Sequence, residues 1–475
     1  VSEFDAQAPP RVIVTTDPEL DDLNSMLRLL LYSNEIDIAA LVYSSSRFHF
    51  AGDEARGIAP HRWPAPGQKL HIDIAIDAYE KSHANLVRHD PRYPDPDALR
   101  GLVRVGNIRT EGDVQEPTDG SELVREALLG KAPGRVFAQA WGGTNTIARA
   151  LMSIEEAYRD TAEWRDVHEL ITRRTVITSF AEQDSTFREY IRPHWPELEF
   201  RDVATTAWGY FAWDVVPDEA SAYLSAEWMR ENVTRVGPMG AEYRVWGDGK
   251  QLAAGFDDED YFGLADASDD QLSARGYRVW APVRPAGSWI SEGDSSNFAL
   301  HIDNGLRNAE HPTFGGWGGR QEPDPDDPHR WRSVGWSKMF DAPITDAGEV
   351  GQWYGAIQRD FAARLRWTVT SDFEDANHAP RVSSLGPTDR SVRPGDSVEF
   401  AFTAADPDDD SVRVIVRLDA QASTCRADVA ATDAGCRVDV SSDARRGDTV
   451  SVIVEAIDDG DPPLTGYARF ALTVT

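Results

Sequence analysis

The sequence predicts an α/β fold, a mostly parallel sheet flanked by helices, followed by an Ig-like all-β sandwich. Three observations carry this. Up to about residue 370, short apolar runs alternate with helical stretches, the pattern of a parallel sheet with crossover helices. Beyond 380, "SVEFAFTAAD", "SVRVIVRLDA", "TVSVIVEAID" and "GYARFALTVT" alternate apolar and polar residues between turn-rich "DPDDD" and "DDGDPPLTG", the pattern of antiparallel strands. Between the two regions, "SDFEDANHAP" (371–380) is polar and ends in Pro, so it reads as a linker. The expected division is 1–370, 371–380 and 381–475.

In order along the chain, "RVIVTTD" reads as a buried strand. In "DDLNSMLRLLLYS", Leu23, Met26, Leu27, Leu30 and Leu31 recur at i, i+3, i+4, i+7 and i+8, so it reads as an amphipathic helix. "IDIAALVYSSS" is the next strand, "GSELVREALLG" a helix, and "RVFAQAW" a strand. "NTIARALMSIEEAYRD" is a helix and "TVITSF" a strand. No internal repeat stands out, and "QEPDPDDPHR" (321–330) reads as an acidic surface loop.

Composition excludes several classes. An apolar fraction of 41% with 10% aromatics is that of a globular chain. No apolar run approaches the roughly 18 residues that span a bilayer. The net charge of −32 argues against nucleic acid and anionic membrane as partners. Lysine occurs only five times, and an acidic, lysine-poor surface suits a salty or GC-rich host as well as ordinary solubility. The opening "VSEFDAQAPP" lacks a basic-then-apolar leader, as expected of an intracellular protein or of a mature exported one. Cys425 and Cys436, eleven positions apart with no His motif nearby, fit a local disulfide better than a metal site. A disulfide, with Cα atoms about 5.5 Å apart, favours a secreted or periplasmic chain.

The sharpest signal is "TTDPELDD" (15–22), which puts Asp17, Glu19, Asp21 and Asp22 on the loop from a strand end into a helix. Two unit charges about 4 Å apart repel by roughly 4 kcal/mol at an effective dielectric near 20. Acids that complement a helix dipole explain one or two of them; four call for a cation, protonation or solvent. Oxygen-only ligation by carboxylates points to Ca²⁺ or Mg²⁺ rather than zinc, and a multi-loop pocket with room for waters leans towards Ca²⁺.

"VTTDPELDD" resembles the Asp-rich fingerprint of nucleoside hydrolases, in which a Ca²⁺ positions the attacking water at the anomeric carbon. "WGGTN" (141–145), "AEQD" (181–184) and "EGDSSNF" (292–298) are similar to that family's later motifs, in the same order. The nearer resemblance is to a secreted bacterial nucleoside hydrolase-like "cellulose-binding" family. It rests on "SSSRFHF", "HDPRYP", "AWGGTNTIARAL", "EQDSTFREYIRPHW", "IDNGL", "GGWGGR" and "DFAARLRW", and on "NHAP", "DPDDD" and "DDGDPPL" in the β-region.

The resemblance implies roles. Asp17 would be metal ligand and base; Asp22, Asp294 and the main-chain carbonyl of Thr144 would be ligands. Asp21, Glu182 and Asp184 would hold sugar hydroxyls, and Asn145 would support the substrate pocket. If Asp17 and Asp294 share one ion, their carboxylate oxygens must lie within about 8 Å. Three departures matter. Thr15 stands in place of the fingerprint's first Asp. Glu19 stands in place of its Gly and so needs a negative φ. Gly293 stands where some relatives have the His that serves the purine leaving group. Nucleosides are therefore expected to be poor substrates and furanoside-type glycosides better ones, with Glu292 or His49 on the pocket rim supplying the proton.

The implied function is a Ca²⁺-dependent glycosyl hydrolase acting on a sugar or glycan. The alternative is a carbohydrate-binding protein that uses a hydrolase fold without turnover. Trp141, Trp195, Trp317 and Trp367 are expected in the core rather than as sugar platforms. "GGWGGR" (315–320) lacks the context of a phosphate cradle and is expected to let backbone pass close to the pocket. The "DPDDD" turn is expected to be exposed acidic surface rather than a second ion site.

Overall fold

Strand β1 (Arg11–Thr16) is buried along nearly its whole length, as expected of a parallel strand covered on both faces. Val12 and Val14 pack into one core and Ile13 into another, on opposite sides of the sheet. The computed structural model describes residues 10–250, 268–274, 281–334 and 348–475.

After β1 come α1 (Leu20–Leu31), β2 (Asp37–Tyr43), α2 (His71–His89), α3 (Pro96–Gly101) and β3 (Val103–Val105). Then follow α4 (Asp119–Leu129), β4 (Val136–Ala140), α5 (Asn145–Tyr158), α6 (Trp164–Arg174) and β5 (Thr175–Ser179). β6 (Glu199–Asp202), β7 (Gln321–Pro323) and β8 (Arg330–Ser333) complete an eight-stranded sheet of order β3-β2-β1-β4-β5-β6-β8-β7. Every pairing in it is parallel except β7 with β8. The chain runs outward from β1 to β2 and β3, then crosses back to lay β4 on the other side of β1. The carboxyl ends of β1 and β4 thus flank a topological switch point, where such sheets bind ligands. α1, α2 and the helix Tyr354–Trp367 cover one face; α4 and α5 cover the other.

The C-terminal region is two four-stranded sheets. The strands are β9 (Arg381–Ser384), β10 (Asp389–Val392), β11 (Ser397–Ala405), β12 (Arg413–Leu418), β13 (Ala427–Thr432), β14 (Gly435–Val440), β15 (Thr449–Ile457) and β16 (Thr465–Val474). One sheet has the order β10-β16-β15-β12 and the other β13-β14-β11-β9. Phe400, Val438, Val452 and Phe470 fill the space between them.

The expected disulfide is corrected: Cys425 and Cys436 are free thiols. The hairpin register is the reason. Cys436 lies opposite Ala431 on β13, whereas Cys425 lies beyond Arg426, the residue before β13, whose O accepts from Ser441 N–H. About six residues of strand at roughly 3.3 Å each separate the two cysteines, far beyond the 7 Å limit for a bridge.

The sheet of β10 and β16 is fastened to the α/β region by charge. Asp419 is buried and accepts from Arg320 Nη2 at 3.0 and 3.1 Å and from Arg469 Nη1 at 2.6 Å. Arg469 Nη2 donates in turn to Gly315 O at 2.7 Å. "GGWGGR" is therefore part of this joint rather than a wall of the acidic pocket. A Cβ on Gly305, at φ +89°, would lie 1.9 Å from Tyr467 O, so only glycine lets the two regions approach there.

Candidate metal centre and active site

The site assembles from three loops at the switch point. β1 delivers Asp17, fully buried, whose Oδ2 accepts from Ser46 Oγ at 2.6 Å and meets His49 Nδ1 at 3.1 Å. Ser46 and His49 belong to the loop after β2, closed by Ser46 N–H donating to His49 O. The loop after β4 brings Gly142 so close that a Cβ there would lie 2.4 Å from Asp17 Oδ1. Gly143 N–H donates to Ser45 O at 2.9 Å, tying the second and third loops together.

Glu19 turns into α1 with φ −104° and ψ 163°, the negative φ that its side chain requires. Asp21 and Asp22 then fall in the first turn of the helix, buried. Asp294 comes from the far segment after Gly293, where a Cβ would lie 2.9 Å from Asp21 Oδ2. Ligand atoms of Asp17, Glu19 and His49 lie within 4.8 Å of one another, and so do those of Glu19, Asp21 and Asp22. Asp294 joins them through a hydrogen bond with Asp22 and through the fields of Asp21, Asp17 and Glu19.

Burying this much like charge has the expected effect. Desolvation, reinforced by the neighbouring carboxylates, holds the carboxyls of Glu19, Asp22 and Asp294 well above their ordinary range. Burial, opposed by the Ser291 hydroxyl and reinforced by Asp17, pushes Asp21 up to about 6. Burial also pushes His71 down to about 3; its Nε2 lies 2.8 Å from Thr16 Oγ1, which donates to Asp22 Oδ1. Oδ1 of Asp17, Asp21 and Asp294 are all buried without a hydrogen-bond partner. Buried acceptors with no donor are costly. An oxygen-rich set with its lone pairs left open fits a hard divalent cation.

A pocket of about 60 Å³ opens over this cluster, with Glu19, Asp21 and Asp294 at its base. Phe48, Phe180 and Phe211 give it apolar walls, and Arg62, Gln183 and Tyr210 polar ones. Tyr210 OH donates to Glu19 Oε1 at 3.3 Å. Asp17 itself is fully buried and does not line this pocket. None of the polar wall residues was marked by the sequence reading. The aromatic run "WGYFAW" (208–213) was the available signal for Tyr210 and Phe211.

Other expected site residues are placed elsewhere or engaged within the protein. Glu292 is corrected from rim acid to core: fully buried, it takes Arg28 Nε at 2.5 Å and Nη2 at 2.8 Å, plus Tyr243 OH and Ser295 Oγ. Arg28 also sits 3.7 Å over the Phe361 ring. His49 is equally buried rather than on a rim, with Nδ1 turned to Asp17.

Asp184 caps α5. Its Oδ2 accepts from Asn145 N–H, and its Oδ1 from Thr186 N–H, Thr186 Oγ1 and Thr144 Oγ1. Asn145 Nδ2 donates to Ser45 Oγ, Asn107 O and Asp113 O, and its Oδ1 accepts from Ser44 Oγ. The two residues hold loops rather than facing the pocket. Thr144 O accepts from Ala148 N–H at 2.8 Å, closing the first helical turn. Glu182 pairs with Arg188 and Arg330 at 3.0 Å each, away from the cluster. Trp141, Trp195, Trp317 and Trp367 are core residues.

The chain superposes over 98% of its length on the whole of a nucleoside hydrolase-related hypothetical protein from Saccharophagus degradans that is associated with carbohydrate metabolism. The TM-score is 0.72 at 20% identity, so the likeness is one of fold. The type III effector XopQ complexed with adenosine diphosphate ribose aligns with 77% of this chain and 95% of its own, at 12% identity and a TM-score of 0.39. No curated protein matches. Residues 11–321, which hold β1 to β6 and every residue of the acidic cluster, match the family described as cellulose-binding Sde182, nucleoside hydrolase-like domain, and the chain belongs to that family.

Proposed function

We propose that this protein is a Ca²⁺-dependent glycosyl hydrolase that acts on a sugar or glycan by attack of water at the anomeric carbon, with furanoside-type substrates preferred. The observation that carries the reading is the set of open, buried oxygens on Asp17, Asp21 and Asp294 at the switch point of the sheet. Asp17, Asp22 and Asp294 would hold the ion, with Glu19 and Asp21 beside them; Mg²⁺ fits the crowded set less well than Ca²⁺. When bound, the cation neutralises the cluster and acidifies water.

The chain's own residues do the rest. Ser46 and His49 fix one oxygen of Asp17, leaving the other to receive a proton from the attacking water. Asp21 stands at the pocket base where sugar hydroxyls would lie. The apolar walls exclude bulk water around the developing oxocarbenium charge. Glu292, locked to Arg28 in the core, is closed to the leaving group. Activated glycosides should therefore react faster than natural glycans or nucleosides.

The test is a panel of aryl furanosides, glycans and nucleosides assayed with Ca²⁺ present, on wild type and Asp17→Asn. The expected result is turnover of the activated glycosides that Asp17→Asn lowers by at least about 10²-fold. Fast inosine hydrolysis would restore a plain nucleosidase, and absence of any turnover would sink the enzyme.

A second reading is a carbohydrate-binding protein without turnover. Its support is the family description together with the burial of Asp17 away from the pocket lining. It requires retention on cellulose that is unchanged in Asp17→Asn. On either reading we assign 1–370 to the sugar-handling unit, 371–380 to a link and 381–475 to an accessory β-sandwich. Export is the setting in which such a protein meets polymeric carbohydrate. Among the described residues, no helix is long and apolar enough to cross a membrane.

A further inference from the structure

The β-sandwich carries a second concentration of carboxylates, where the turn after β11 meets the turn after β15. Oxygens of Asp406, Asp408 and Asp410 lie within 4.8 Å of one another, which alone would describe an acidic surface turn. Asp458, from the other turn, changes the reading. Its side chain is only 4% exposed. Oδ1 accepts from Leu464 N–H at 2.8 Å, Gly460 N–H at 3.1 Å and Asn377 Nδ2 at 3.2 Å, while the buried Oδ2 has no hydrogen-bond partner. Asp406 repeats the arrangement: Oδ1 accepts from the N–H groups of Asp408 and Asp410, and Oδ2 is buried without a partner.

The two turns face each other. Asp459 Oδ1 accepts from Ser411 N–H at 2.8 Å. A Cβ on Gly460 would lie 2.6 Å from Asp410 Oδ2 and 2.3 Å from Asn377 Nδ2, so glycine leaves the gap between the turns open. The Asp406 carboxylate acts on Asp458 from across the two turns. The charged groups that act on Asp410 are Asp406, Asp459 and Asp408, all carboxylates.

We infer that these turns form a second cation site, in which Asp406, Asp408, Asp410 and Asp458 bind Ca²⁺ in preference to Mg²⁺. Flexible, oxygen-only, multi-carboxylate coordination suits the larger ion. Asn377 is a positioning residue. Its Nδ2 donates to Pro462 O and Asp458 Oδ1 and its Oδ1 accepts from His378 N–H, which fixes the amide with its donors towards Asp458. Asp408 is clamped from the same segment by His378 N–H at 2.7 Å. Trp367 Nε1 donates to Asn377 O at 3.0 Å. The ion would therefore tie the last helix of the α/β region to the sandwich through residues 377–378.

This site is independent of the one at Asp17, and the test separates them. Chelator-stripped full-length protein is titrated with Ca²⁺ up to about millimolar concentration by calorimetry, as wild type, Asp17→Asn, Asp406→Asn and Asp410→Asn. Asp410→Asn alters a partly exposed side chain, and its far-UV circular dichroism should match wild type. The expected result is that Asp410→Asn and Asp406→Asn each remove one bound Ca²⁺ or weaken it at least tenfold, and that Asp17→Asn retains this equivalent. Limited proteolysis within 368–380 should slow on adding Ca²⁺ to wild type and to Asp17→Asn, but not to Asp410→Asn. Unchanged stoichiometry and affinity in Asp410→Asn, or loss of all Ca²⁺ binding in Asp17→Asn, would overturn the site.

Discussion

Asp17 and Glu292 show how residues of one charge diverge by their partners. Asp17 keeps an oxygen free of donors; Glu292 has both oxygens closed by Arg28, Tyr243 and Ser295. Asp17→Asn should therefore weaken Ca²⁺ binding and lower glycoside turnover with little loss of stability, since the amide relieves repulsion within the cluster. A melting temperature in chelator equal to or above wild type is the expected reading. Glu292→Gln should act through the fold instead. It leaves the Arg28 guanidinium buried and uncompensated, which costs about 3–5 kcal/mol. Urea unfolding measures that loss, and a variant of wild-type stability with a specific defect on natural glycans would return Glu292 to the role of acid.

At the scale of elements, the loop after β2 and the β13–β14 hairpin each decide a question of chemistry. The loop turns Ser46 and His49 onto Asp17 because Ser46 N–H closes on His49 O and Phe48 N–H on Ser46 Oγ. In the hairpin, register keeps the cysteines apart. Reductant should therefore leave the melting temperature unchanged, and two thiols should be titrated per unfolded chain. In the folded protein Cys425, half-buried, should react first, and Cys436, fully buried, only after unfolding.

The whole molecule couples ion binding, pH and the joint between its sheets. In cation-free protein, Asp21 holds its proton up to about 6 when folded against 3.8 for the free group. Asp22 and Asp294 shift the same way. The folded state thus binds more protons than the unfolded one across this window, so stability falls as pH rises through it. Ca²⁺ removes that penalty, and its stabilising effect should be larger at pH 7 than at pH 5; equal shifts in melting temperature at both would contradict this. The joint depends on Asp419 between Arg320 and Arg469. Asp419→Ala strips Arg469 of its carboxylate and leaves Arg320 with Glu349 alone, and should cost about 3–5 kcal/mol, read as a lower unfolding midpoint in urea.

Local pattern by itself determined much of this protein. Apolar runs placed β1, β2, β4 and β5, the 3.6 period placed α1, and polar–apolar alternation placed β11, β12, β15 and β16 but not β9, β10, β13 and β14. The charge density of 17–22 marked the acidic centre, because like charges beside a core demand an explanation wherever the chain goes. The 19 residues of α2, and the short strands β6 and β8, were not distinguished, since α2 packs against α1 and the helix Tyr354–Trp367 and β6 pairs with β8 from far along the chain. What only the tertiary structure decided is which atoms remain open. Arg28 lies 264 residues from Glu292 in sequence, and Asn145 lies 38 from Asn107; such pairings close some polar groups and leave others bare. The register of one hairpin separated two cysteines that spacing had joined, and the facing of two distant turns made Asp458 a neighbour of Asp406. Pattern along the chain reports which side chains carry charge, but whether a charge meets a donor, a core or a cation is settled by long-range packing.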